Sequence, residues 1–152
     1  MRLQRFKLLL NPSLALLCLG FSLCAQAEFR SVVAPKAILF DAPSAEASKV
    51  YILNQGYPVE IIVNLGQWLK VRDQLGGLSW VESKNLTNKR TVLVTTKTDM
   101  KTAEDSASNL VATVEKDVVL ELLSPSNKNG WVKVKHRDGL VGFVQASDVW
   151  GF

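Results

Sequence analysis

Apolar and polar residues alternate in short bursts along most of this chain, and turn residues separate the bursts. Trp68-Leu69-Lys70-Val71-Arg72 and Trp131-Val132-Lys133-Val134-Lys135 show the pattern most clearly, with a period of two and β-branched or aromatic content. The alternation predicts strands over roughly 30–34, 57–63, 68–72 and 78–82, and again over 91–96, 117–123, 131–135 and 140–144. Asn64-Leu65-Gly66 and Asn127-Lys128-Asn129-Gly130 read as hairpin closures, as do Asp73 to Gly77 and Arg137-Asp138-Gly139. Asp41 to Lys49 and Thr102 to Asn109 carry no period and read as irregular. Within the second, Ala103 to Ser108 reads as a polar loop rather than a helical turn. The chain is expected to be all-β.

The pattern also repeats. Residues 33–62 align with 94–123 at an offset of 61, and residues 68–86 with 131–149 at an offset of 63. Val59-Glu60-Ile61 falls over Leu120-Glu121-Leu122, Gly76 over Gly139, and Trp80-Val81 over Phe143-Val144. A period near 60 is too long for a solenoid repeat and suits a small domain. The expected organisation is a leader over 1–27, a first domain over 28–86, a linker over 87–90 and a second domain over 91–152. Thr87-Asn88-Lys89-Arg90 is short enough that the two domains should hold a fixed relation.

The leader changes how the charge is read. Arg2, Arg5 and Lys7 precede an apolar stretch from Ser13 to Leu23, and Ala25-Gln26-Ala27 is a small-x-small site. This order is that of a secretory signal peptide cut after Ala27, which places the product in the periplasm or outside the cell. Three of the 18 basic residues and none of the 14 acidic ones lie there. The mature chain would carry 15 against 14, a net +1 rather than +4, so basicity gives no argument for nucleic acid. Cys18 and Cys24 also lie in the leader, which leaves no thiol for a disulfide, a metal or catalysis. No other stretch is long and apolar enough to span a membrane.

Pro43-Ser44, Gly56, Trp68, Gly76 with Trp80, Trp131, and Asp138-Gly139-x-x-Gly142-Phe143 occur in the order found in bacterial SH3 domains. The chain resembles that family over nearly all of its mature length, twice, and resembles secreted proteins with paired domains of this kind. The resemblance implies two small β-barrels in tandem and a non-catalytic binding role in the cell envelope. The second copy departs from the pattern: Glu104-Asp105 stands where Pro-Ser is expected, and Asp117 where Gly56 stands in the first. Ile38 to Ala42 resembles the Ala-Leu-Tyr-Asp-Tyr segment of eukaryotic SH3 domains. The late Pro-x-x-Tyr of those domains is replaced by Glu82 and Asn85, and by Gln145 and Asp148. Half of the aromatic floor that would bind a polyproline II peptide is therefore absent.

Strand alternation puts Trp68, Lys70 and Arg72 on one face and Leu69 and Val71 on the other, with Trp131, Lys133 and Lys135 in the equivalent places. A tryptophan beside cations suits sugar stacking or contact with anions, and equally suits shielding of a hairpin. The candidate ligand-binding residues are Trp68, Lys70, Phe40, Asp41, Tyr57, Trp131 and Lys133. The resemblance implies that Trp80 and Phe143, which sit where the family places a packing aromatic, belong to the cores. The terminal Trp150-Gly151-Phe152 is expected to pack rather than to dock elsewhere. His136 stands alone on an expected turn, and Glu60 and Glu121 belong to different copies, so no catalytic set and no cofactor or metal site is expected. Two partners stay open: peptidoglycan or another wall glycopeptide, and a periplasmic protein held by an adaptor.

Overall fold

The computed structural model describes residues 27–124 and 128–152, so the expected leader lies outside the described residues up to residue 26. The first half holds β1 (Glu28–Val32), β2 (Lys36–Phe40), β3 (Lys49–Asn54), β4 (Pro58–Asn64), β5 (Trp68–Arg72), β6 (Leu78–Glu82) and β7 (Leu86–Thr87). The second holds β8 (Thr91–Val94), β9 (Thr98–Lys101), β10 (Leu110–Val114), β11 (Val119–Leu122), β12 (Trp131–Lys135), β13 (Val141–Gln145) and β14 (Val149–Trp150). Each half is one seven-stranded antiparallel sheet, ordered β3-β2-β6-β5-β4-β1-β7 and β10-β9-β13-β12-β11-β8-β14. The fold is all-β, in two domains of identical strand order.

Each sheet curls around its own core. Val32 of β1 and Leu53 of β3 belong to one buried cluster with Ala37, Leu39, Val59, Leu69, Val71 and Val81. In a flat sheet, strands β1 and β3 would lie five steps apart, or about 24 Å, so only closure brings them together. Val92, Met100, Leu120, Val132, Val134 and Val144 build the matching second core.

The alternation located β5, β6, β12 and β13 closely and missed β2, β3, β9 and β10. β2 is a nearly continuous apolar run, Ala37-Ile38-Leu39-Phe40, which gives no period. In β3 the consecutive residues Val50, Tyr51 and Ile52 are all exposed, at 52%, 63% and 53%. β9 buries Thr98 and Met100 through residues that are not conspicuously apolar as a set. The expected strand 117–123 is shorter because Asp117 lies in a turn at φ 67°. Gly56 occupies the same place in the first domain at φ 84°. Their amides donate to equivalent carbonyls, Asp117 to Val94 and Gly56 to Val32, each at 2.8 Å. Asp117 thus keeps a left-handed turn that its side chain disfavours.

The sheets meet at a hydrogen-bonded joint. Thr91 Oγ1 donates to the Gly56 carbonyl at 2.6 Å, and the same oxygen lies 2.6 Å from the buried Ser31 hydroxyl. Arg90 donates to the Gly151 carbonyl at 3.1 Å and lies 5.5 Å from the centre of the Phe29 ring. Phe29 in turn meets Trp150 edge to face at 5.1 Å. The terminal residues do pack: Trp150 pairs with Leu93, and Phe152 lies against the second core.

Candidate functional site

β5 positions the first candidate surface. Leu69 and Val71 point into the core, so Trp68 and Lys70 stand on the outer face, both half-buried. The register puts Trp68 opposite Glu82, Lys70 opposite Trp80, and Phe40 opposite Trp80 from the other side. Phe40 is buried and meets Trp68 edge to face at 5.3 Å, an arrangement that adds to what area burial contributes. The Lys70 ammonium lies 5.8 Å from the centre of the Trp80 ring. Phe40, Trp68, Lys70 and Trp80 therefore form one aromatic–cationic strip. Beside it Gln67, Trp68, Glu82, Ser83 and Lys84 line a hollow of about 320 Å³.

Trp80 and Phe143 are not core residues. Ser79 and Val81 are buried, as are Gly142 and Val144, so alternation turns both aromatics to the outer face, where each is half-buried. Their place in the family pattern implied burial, while their place in the strand turns them to the outer face. Lys133 repeats the arrangement of Lys70, with its ammonium 5.8 Å from the Phe143 ring.

The second surface differs from the first in chemistry. Trp131 is buried at 9%, which fits the shielding of a hairpin better than an open stacking plate. Lys101 pairs with Phe143 at the register position that Phe40 holds in the first domain. Around it lies a cleft of about 460 Å³, floored by Trp131 and lined by Thr98, Asp99, Lys101, Thr113 and Asp148 among others. Thr98 Oγ1 donates to Asp148 at 2.7 Å and Thr113 Oγ1 to Asp99 at 2.9 Å. Lys101 lies 3.8 Å from Asp99. The alignment of the copies carried the signal for this cleft. Phe40, Ile38, Ile52 and Asn85 become Lys101, Asp99, Thr113 and Asp148, exchanging apolar or neutral for polar or charged at four places.

Two candidates fall elsewhere. Asp41 closes the loop before β3, accepting from the Ser48 amide at 3.1 Å. Tyr57 lines a groove between the domains, where its hydroxyl accepts from the Gln74 amide at 3.4 Å. Burial pushes the Tyr57 phenol above the ordinary tyrosine value; nearby Asp73 and Asp117 add to this and the Gln74 amide works against it. His136 is half-buried rather than solvated on an open turn. Its Nδ1 accepts from the Asp138 amide at 3.3 Å and lies 3.2 Å from the Asp138 carboxylate. Glu60 meets Arg72 at 3.4 Å and Glu121 meets Lys89 at 3.0 Å, each within its own sheet's surroundings. Among the described residues no three His, Cys, Asp or Glu side chains gather as a metal site.

The family model for the bacterial SH3 domain matches residues 33–88 and 102–151. A search of curated proteins returns no match. Among solved structures, the chain is similar to NlpC2 from Trichomonas vaginalis at 14% identity, covering 82% of this chain and 48% of that one, with a TM-score of 0.39. It is similar also to an NlpC/P60 family protein from Bacillus cereus ATCC 10987 at 17% identity, covering 80% and 55%, with a TM-score of 0.36. An NlpC/P60 endopeptidase from Photobacterium damselae subsp. piscicida matches at 16% identity over 82% and 33%, with a TM-score of 0.35. The chain spans about half the length of the first of these structures.

Proposed function

Because the chain belongs to the bacterial SH3 domain family, we propose that it is a non-catalytic, exported binding module of the cell envelope that recognises peptidoglycan or another wall glycopeptide. Domains of this family are binding modules, and the match falls on both halves. The observation that carries the reading is the pair of tryptophan-bearing surfaces, one aromatic and cationic around Trp68, the other polar around Trp131. An aromatic plate beside a cation fits a wall glycopeptide, which offers sugar rings for stacking and peptide carboxylates for the cation. Export rests on the basic, apolar and small-residue order of 1–27. Among the described residues no helix is long and apolar enough to cross a membrane.

The test is sedimentation of the protein with purified sacculi. Wild type is expected in the pellet, with Trp68→Ala and Lys101→Ala each weakening retention by about tenfold where its surface carries the contact. A folded wild type that stays in the supernatant would sink the reading.

A second reading, a periplasmic adaptor, is favoured by one feature. β3 is an edge strand with Val50, Tyr51 and Ile52 exposed in succession, a template for an added strand from a partner protein. A folded wild type that does not pellet with sacculi, the result that sinks the first reading, would favour it.

A further inference from the structure

The groove between the domains is separate from both tryptophan surfaces. It measures about 450 Å³ and takes its walls from both halves of the chain. Tyr51, Tyr57 and the hairpin residues Gln74 and Leu75 form one wall; Lys116, Asp117 and Val119 form the other. Its shape is set in advance by the joint. Gly56 stands beside the groove, its carbonyl accepts from Thr91, and a Cβ there would come 3.3 Å from the Val119 side chain of the other half. A groove that needs no closure spares a ligand the cost of ordering it.

Its lining states what would fit. Tyr51 is 63% exposed and Leu75 89%, more apolar surface than a hairpin tip and a strand edge require for folding. The Tyr57 hydroxyl accepts from the Gln74 amide, so its own hydrogen is free to be donated into the groove. The side-chain amides of Asn54 and Gln74 make no hydrogen bond among the described residues. The two charges in the lining, Lys116 and Asp117, offset each other, which favours a neutral ligand over an anionic one. Aromatic plates with carboxamides and a phenol match a pyranose ring, which offers an apolar face of C–H groups and an edge of hydroxyl and acetamido groups. We infer that this inter-domain groove is a distinct ligand site that takes a short stretch of neutral, N-acetylated glycan, stacked on Tyr51 and hydrogen-bonded by Tyr57 and Gln74. The inference rests on the envelope-binding reading for the source of the glycan.

The probe is the N-acetylglucosamine tetramer, titrated calorimetrically into the protein. The expected result is a saturable heat that Tyr51→Ala and Gln74→Ala each weaken by about tenfold, while Leu110→Ala, an exposed change away from the groove and from both tryptophan surfaces, leaves it unchanged. Tyr51 is exposed, so its variant should keep the wild-type melting temperature and report on binding alone. No saturable heat at millimolar tetramer would overturn the inference. So would a heat lost in Trp68→Ala and kept in Tyr51→Ala, which would place the sugar on the other surface. Sacculi that pellet the protein while the tetramer gives no heat would overturn the groove and leave the envelope reading standing. A tetramer bound at Tyr51 by a protein that never pellets would uphold the groove and remove the envelope reading.

Discussion

Asp117 shows how a residue can break a sequence pattern and leave the backbone unchanged. It holds φ 67° where Gly56 holds φ 84°, and both amides close the same turn. A glycine relieves the contact between Cβ and carbonyl that makes this region costly for other residues. Asp117→Gly is expected to stabilise the protein by about 0.5–1 kcal/mol, read as a higher urea midpoint with unchanged slope. Gly56→Asp should act in the opposite direction and by more, because its Cβ would also come 3.3 Å from Val119. At this scale the sequence marked the position through the repeat, and the turn's hydrogen bond explains why either residue serves. Lys101 was less legible, because a lysine in a strand usually signals a solvated face. Only its pairing with Phe143, over a cleft floored by Trp131, shows it as part of a site.

Strands β5 and β12 were legible because each buries one face completely and leaves the other polar or aromatic. Leu69, Val71, Val132 and Val134 are exposed by no more than 1%. Leu69→Ala is expected to cost about 2–5 kcal/mol through lost burial and a residual cavity. Lys70→Ala, one residue away on the outer face, should cost less than about 1 kcal/mol. Chemical denaturation of the two variants checks the contrast, and equal losses would mean that the face assignment is wrong. β2 and β3 were illegible for opposite reasons. The first is apolar on nearly every residue, and the second exposes its apolar residues at the edge of the sheet. The faces of Trp80 and Phe143 follow from period two alone. Their large rings obscured this, since a ring's size argues for burial while its strand position turns it outward.

The whole molecule depends on a joint formed by few groups. Thr91 links the sheets through its hydroxyl, Arg90 reaches the Gly151 carbonyl, and Phe29 and Trp150 meet across the domains. Gly151 is required there. At φ 114°, a Cβ would come 2.8 Å from the Pro58 side chain and 2.9 Å from the Thr91 carbonyl. Thr91→Val removes the buried hydroxyl while keeping its shape, and leaves the Ser31 hydroxyl without that partner. The expected cost is about 1–3 kcal/mol. The joint couples two cores that each fold around their own strands, so the wild type should melt in one calorimetric transition. Thr91→Val should broaden or split it. A sharp single transition in the variant would show that the hydroxyl does not carry the coupling.

The repeat, the period of two and the turn residues determined by themselves that this chain forms two closely similar β domains, because those features depend on neighbours a few residues apart. The gathering of the exchanged residues into a cleft, the joint between the sheets and the groove beside it were decided only by tertiary structure. Each needs residues some 35 to 60 positions apart, such as Gly56 with Thr91 and Ser31 with Thr91, to meet within hydrogen-bond distance. No local pattern encodes which surfaces two folded domains will turn toward each other.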